Sequence, residues 1–333
     1  MDSPGRSGTE RIGPGGGTRA GRVRRRRGTG EFGVGVEPGE FGRRRRRRRA
    51  IWTVEHGWYR ARVRLNKVCN IEDWDIPTRT ATMRRILPGF AAAHPRYPAA
   101  MEHRKHWEFA QILDGLLDLG ALPPDGMVLA VAAGQEAVLF ELTNRVRWVF
   151  ATDIYGTGNF AEKEADAAIL TDPDSVAPFP YNRRRLVVQY MDALDLRYED
   201  QTFDAVYSLS SIEHFGGIDG VRRALSEQRR VVGVGGIVAL TTEVVINGAE
   251  PLEEGHLLLS SPEQLVGVCE SIPGLALVEA IDFSVSPRTR STVLSLSAAV
   301  ANSYNQQPDY PHIILEHQGR LFTSVSVFLR RVD

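Results

Sequence analysis

Between Met127 and Thr242 the chain alternates short apolar runs with longer polar or amphipathic stretches. The runs are Met127–Val131, residues 148–151, residues 185–190, Phe203–Leu209 and residues 237–242. Near-continuous apolar runs this short, bounded by turn residues, predict strands buried on both faces, as in a parallel sheet. The intervening stretches predict crossover helices, and 218–230, closed by Val232-Gly233, is one of them. The glycine-rich segment that follows is expected to supply a left-handed C-cap before the next strand.

Outside this block the pattern is more varied. Trp107, Ile112, Leu113, Leu116 and Leu117 recur at three- and four-residue spacing, so 101–119 reads as a helix stopped by Gly120 and Pro123-Pro124. Residues 69–74 and 76–86 read as short helices, and 51–65 as a weak strand or lead-in. Residues 154–181 form a long connection, helical over 161–170 and broken by Pro173, Pro178 and Pro180. Ser261 caps a helix over 261–271; 275–283 reads as a strand, 291–299 as a strand or a helix, and 322–331 as a final strand. Without a crossover helix before it, that last strand should pair antiparallel at the sheet edge. The expected fold is α/β: a doubly wound, Rossmann-like sheet, mostly parallel with an antiparallel C-terminal edge strand. The expected organisation is a tail at 1–50, a lead-in or cap at 51–100 and the main domain at 101–333.

Charge divides the chain more sharply than composition does. Lys plus Arg and Asp plus Glu both number 41. Residues 1–50 nevertheless hold 15 Arg against five acids, so the rest carries a balance of −10. A mildly acidic body argues against nucleic-acid binding by the folded part. The tail has few large apolar residues and cannot offset its ordering entropy. Arg24–27 and Arg43–49 fit a nucleic-acid or nuclear-import tract. A functionless tail, or GC-rich sequence read from a start placed too far upstream, fits better, since the chain has only three Lys against 38 Arg. Cys69 and Cys269 stand in no metal-ligand spacing, and no metal site is expected. No apolar run approaches the roughly 20 residues that span a bilayer, and no apolar core follows the basic N-terminal segment, so a cytoplasmic location is expected.

The chemistry begins at the turn after Met127–Val131. Ala132-Ala133-Gly134 lets main chain approach a ligand closely, and Asp153 follows the second run 19 residues after Gly134. An acid at about that distance is placed to grip a ribose diol, which implies a nucleoside-containing cofactor.

The order of strand and glycine turn, acid-tipped strand, Met191-Asp192-Ala193, Phe203-Asp204-Ala205-Val206-Tyr207-Ser208 and Arg230-Val231-Val232-Gly233-Val234-Gly235-Gly236 resembles the class I S-adenosylmethionine-dependent methyltransferases. The resemblance covers about residues 101–331 and is densest over 127–242. Ser210-Ser211-Ile212-Glu213-His214-Phe215-Gly216-Gly217 is similar to a bacterial subgroup acting on small molecules and glycans. The resemblance implies S-adenosyl-L-methionine as cofactor, with Ala132, Gly134 and Glu136 under its methionine part. Asp153, with Ile154, would hold the ribose; Asp192 and Ala193 would meet the adenine; Ser208 would lie nearby. Ala130 stands where the family carries an acid, Ala132 replaces the first glycine and Glu136 the last. The missing acid weakens contact with the cofactor's amino group unless another residue supplies it. His214 has the intrinsic pKa of a general base, and Glu213 would orient it or bind substrate. Thr241, Thr242, Glu243, His103 and Arg104 are further candidate contacts, and Trp107 is expected in the core.

The implied function is methyl transfer to a small-molecule or sugar-containing acceptor, at O or N. Three alternatives stand beside it: a catalytically impaired cofactor-fold protein acting as a binding partner, an NAD-type oxidoreductase, and a nucleic-acid methyltransferase guided by the Arg tail.

Overall fold

All five apolar runs between 127 and 242 form strands, and their side chains alternate between two apolar layers. The computed structural model describes residues 64–158, 164–304 and 308–333, which belong to one compact unit, Arg60–Asp333. The tail expected at 1–50, most of the 51–65 lead-in and the start of the 161–170 helix lie outside the described residues.

The chain enters with β1 (Lys67–Val68), a 3₁₀ turn at Ile71–Asp75, α1 (Pro77–Ile86), α2 (Pro88–Ala93) and α3 (Arg104–Asp118). The alternating block follows as β2 (Met127–Val131), α4 (Ala137–Thr143), β3 (Trp148–Asp153), α5 (Ala168–Thr171), β4 (Leu186–Tyr190), β5 (Phe203–Leu209), α6 (Gly217–Val231) and β6 (Val232–Val245). The last third holds β7 (Leu252–Glu254), β8 (Leu257–Leu259), α7 (Pro262–Glu270), β9 (Leu275–Leu277), α8 (Pro287–Arg290), β10 (Val293–Ser295), α9 (Leu296–Tyr304), β11 (Ile314–His317) and β12 (Arg320–Arg331). The stretch 291–299, readable as strand or helix, is both in succession. The strand expected over 275–283 is shorter, ending at Leu277.

The sheet order is β10-β11-β12-β6-β5-β2-β3-β4, with β1 and β9 also paired to β12. Strands β2 to β6 pair parallel, whereas β12 runs antiparallel to β6 over nine residue pairs. Beyond β12 the sheet continues through β11 and β10. On one face Val128, Ala130, Val149, Ala151 and Tyr207 pack under Ile112, Leu113 and Leu116 of α3 and Val138 to Leu142 of α4. On the other, Leu129, Val131, Val206, Val238 and Leu240 meet Val221 and Leu225 of α6 and Leu265 and Val268 of α7. Trp107 is fully buried, as its place in the helical stripe implies. Gly115 brings α3 against β12 so closely that a Cβ there would overlap the Phe328 ring.

One local expectation needs correcting. Residues 229–236 do not make a left-handed helix cap at Gly233. Helix α6 passes directly into β6 at Val232, whose backbone is extended (φ −75°, ψ 142°), and Gly235 takes the positive φ of 81°. The cause is a bulge: Phe203 pairs with Val232 but Ala205 with Ile237, so the extra residues must loop out. Gly236 has no room for a side chain there, because a Cβ would press on the Asp204 carbonyl.

Candidate active site

The order of strands reverses between β2 and β5, and ligands in such sheets lie beyond the carboxyl ends at that point. A cavity of about 900 Å³ opens there among the described residues. The loops after β2, β3, β4, β5 and β6 and the first turn of α3 line it. Of the expected site residues, Ala132, Gly134, Glu136, Asp153, Ile154, Asp192, Ala193, Glu213 and His214 all line this cavity. Ser208 does not. It is fully buried within β5, and Leu209, Ser210 and Ser211 take the cavity wall instead.

At the turn after β2, Ala132 and Gly134 have φ values of +50° and +49°. Glycine adopts this conformation freely, and alanine does so at a cost of roughly 1–2 kcal/mol. Gly134 is required twice over, because a Cβ would also meet the Glu164 carbonyl. Its N–H donates to Asp153 Oδ2 at 2.9 Å, while Ile154 N–H donates to Asp153 Oδ1 at 2.7 Å. Burial raises the Asp153 pKa, and these two amides oppose the rise. Asp153 therefore organises the turn as well as facing the cavity. Asp192 forms a local turn, accepting from Leu194 N–H at 2.8 Å. Ser211 Oγ donates to the Ala132 carbonyl at 3.0 Å, tying the β5 loop to the β2 turn.

The other end of the cavity is built from charge. Glu108, fully buried on α3, accepts from Ser210 Oγ at 2.7 Å and Ser324 Oγ at 2.5 Å. Lys105 Nζ lies 3.2 Å and Arg104 Nη1 3.5 Å from its carboxylate. Arg104 also pairs with Glu243. Burial alone would raise the Glu108 pKa, but Lys105 and Arg104 outweigh it and hold the group ionised. Glu213 accepts from Thr242 Oγ1 at 2.9 Å, and burial, with Glu243 nearby, pushes its pKa up to about 8. His214 Nδ1 donates to the His256 carbonyl at 3.0 Å, which leaves Nε2 as the basic nitrogen. Burial lowers the His214 pKa, so the ring is neutral at pH 7.

Glu136 combines features of both ends. Its Oε2 is screened from solvent and has no hydrogen-bond partner among the described residues. Burial, together with Glu108 and Asp153, raises its pKa well above the carboxylate range against the pull of Lys105.

Sequence reasoning missed Lys105, Glu108 and His256. Arg104, Lys105 and Glu108 have the i,i+3 and i,i+4 spacing of a solvated helix pair, and nothing local shows that this face is buried. Glu243 reaches the cavity as expected, whereas Thr241 and Thr242 turn to Glu108 and Glu213 behind it.

Residues 129–240 match a family described as a methyltransferase domain. This segment is a methyltransferase domain of the class I S-adenosylmethionine-dependent kind. The match decides against the nicotinamide alternative. Among solved structures, the chain is similar to geranyl diphosphate C-methyltransferase from Streptomyces coelicolor A3(2). That similarity is at 16% identity and TM-score 0.45, covering 77% of this chain and 98% of that one. It is also similar to the [4+2]-cyclase SpnF, at 16% identity and TM-score 0.46, covering 76% and 96%. YcgJ from Bacillus subtilis matches at 14% identity and TM-score 0.42, covering 65% and 97%. No conclusion about the acceptor follows from likenesses this distant.

The chain's residues fit the cofactor. Asp153 faces the cavity with fixed orientation, the β2 turn exposes main chain, and Glu136 presents a carboxylate oxygen that no described residue satisfies. No helix among the described residues is long and apolar enough to cross a membrane.

Proposed function

We propose that the protein transfers a methyl group to an oxygen or nitrogen of a small-molecule acceptor, including sugar-containing ones. The observation that supports this is the single cavity joining the β2 turn and Asp153 to His214, Glu213 and Glu243. Its volume of about 900 Å³ lies toward the upper end of the roughly 300–1,000 Å³ typical of small-molecule sites, enough for cofactor and a small acceptor together.

The bound cofactor supplies an electrophilic methyl group on a sulfonium. Asp153 would hold the ribose and the β2 turn would lie under the methionine part, with Asp192 and Ala193 beside the base. Met191, Leu194 and Phe109 give this part of the wall apolar surface. An acceptor hydroxyl must lose its proton as its oxygen attacks, and an acceptor ammonium must lose one before its nitrogen has a lone pair to attack with; His214 Nε2 takes that proton. Glu213, neutral near pH 7, presents a hydrogen bond to the acceptor and stays ready to shed its own proton above about pH 8. The charged groups on α3 are already paired, so they shape the wall without competing for the acceptor.

A methyl-transfer assay over sugars, nucleotide-sugars, phenols and amines tests the reading. Turnover confined to O or N nucleophiles is expected. Transfer to carbon alone, or tight cofactor binding with no turnover on any acceptor class, would overturn it. Running the panel with and without residues 1–50 separates any part played by the tail; activity should survive its removal.

A further inference from the structure

We propose that Lys105 and Glu136 form a clamp on the amino-acid end of the cofactor, Glu136 taking the ammonium and Lys105 the carboxylate. The inference rests on the methyltransferase reading of the cavity and adds a division of labour within it.

Ala130, at the position where the family carries an acid, offers nothing to a ligand. It is fully buried in the core, and its carbonyl accepts from Thr152 Oγ1 at 3.1 Å. Glu136, six residues on, has what Ala130 lacks: a carboxylate on the cavity wall with a solvent-screened oxygen left unpartnered. A buried acceptor without a donor is unfavourable until a donor arrives, and a cationic ammonium is the donor that matches a carboxylate best. Lys105 is complementary. Its Nζ has three donors and is paired with Glu108, which also keeps Arg104, Ser210 and Ser324 as partners. Lys105 can therefore turn to a ligand carboxylate without leaving Glu108 bare.

Position agrees with charge. Helix α3 packs over β12, β6 and β5, whereas Asp153 and Asp192 stand at the ends of β3 and β4 on the other side of the β2 turn. A nucleoside held by those two acids would point its amino-acid substituent back across the turn, toward Glu136 and Lys105. An α-amino acid carries its opposite charges on neighbouring substituents of one carbon, and the pair offers the reverse charges from two separate elements. Lys105 lies outside residues 129–240, so the matched domain alone does not complete the site.

Calorimetric titration of the full chain with two probes tests this. S-adenosylhomocysteine carries the amino-acid end, and 5′-methylthioadenosine lacks it. Glu136→Gln and Lys105→Met should each weaken S-adenosylhomocysteine about tenfold or more, and leave 5′-methylthioadenosine within about twofold. Retained binding of the second probe also shows that the variants are folded. Equal loss of both probes, or no loss of the first, overturns the clamp. If the wild-type chain binds neither, the methyltransferase reading of the cavity falls with it. A second readout is protonic. Glu136 is faced by Lys105 and Glu108 from α3 and by Asp153 from β3, and burial with the two acids favours a proton on it against the pull of Lys105. Binding of S-adenosylhomocysteine should release that proton in the wild type and not in Glu136→Gln, measured by titration in buffers of different ionisation enthalpy. Equal proton release in both would count against the assignment.

Discussion

The two ends of the cavity are made in different ways. The nucleoside end comes from loops at successive strand ends, and the amides that orient Asp153 come from Gly134, 19 residues away, and from its neighbour Ile154. The charged end is assembled from α3, β5, β6 and β12, with Ser324 reaching Glu108 across 216 residues of sequence. The first needs only that each strand end where it does. The second exists only when the whole sheet has closed, and its Glu108 carboxylate remains ionised only while its partners are in place. Local construction tolerates substitution at single positions, as Ala132 shows. A buried charge network does not.

The largest effect that would sharpen this contrast is catalytic. His214→Ala should lower turnover by about 10²–10⁴-fold while cofactor affinity stays within about twofold, read by steady-state kinetics beside calorimetry. In the wild type, kcat/KM should rise with pH about a midpoint below the ordinary imidazole value of about 6.5, because burial lowers the His214 pKa. A limb centred near pH 8 would assign the base to Glu213 instead, since that is where its carboxyl loses the proton.

Next comes the network itself. Glu108→Ala leaves Arg104 and Lys105 less compensated in a buried place, so unfolding by denaturant should show a loss of about 3–5 kcal/mol. A loss under 1 kcal/mol would mean that the charged end is no more demanding than a surface. Asp153→Ala should weaken S-adenosylmethionine by about 1–3 kcal/mol through lost charged hydrogen bonds. Unchanged affinity would remove Asp153 from the ribose and leave it as an organiser of the Gly134 turn. The smallest effect belongs to Ala132→Gly. Relief of the left-handed strain, set against the greater chain entropy of glycine, should raise stability by about 1 kcal/mol or less. Destabilisation by more than that would show that the alanine methyl is needed for packing.

Legibility in the sequence follows the same division. Period and turn chemistry mark β2 and β5 to the residue, and α6 to within a residue at each end, because buried parallel strands and amphipathic helices write their environment into adjacent positions. Asp153, Gly134 and Asp192 are legible for the same reason: each sits at a strand end. By contrast β1, two residues long, and β11 have no periodicity to display, and they exist because β12 gives them a partner. Glu108 is hidden by its spacing to Arg104, which is indistinguishable from that of an exposed pair. The bulge at 233–236 is visible as glycines but not as a register shift, since register belongs to two strands at once.

The antiparallel insertion of β12 between β6 and β11 has a consequence for synthesis. Residues 129–240 leave the ribosome with the nucleoside end complete in principle, yet Glu108 still waits for Ser324, and β6 for its nine paired partners, until β12 emerges. Strand β12 acts as a timer for the charged end. The nascent chain can hold the parts of a methyl-transfer site, but it cannot arm them before β12 is available to pair.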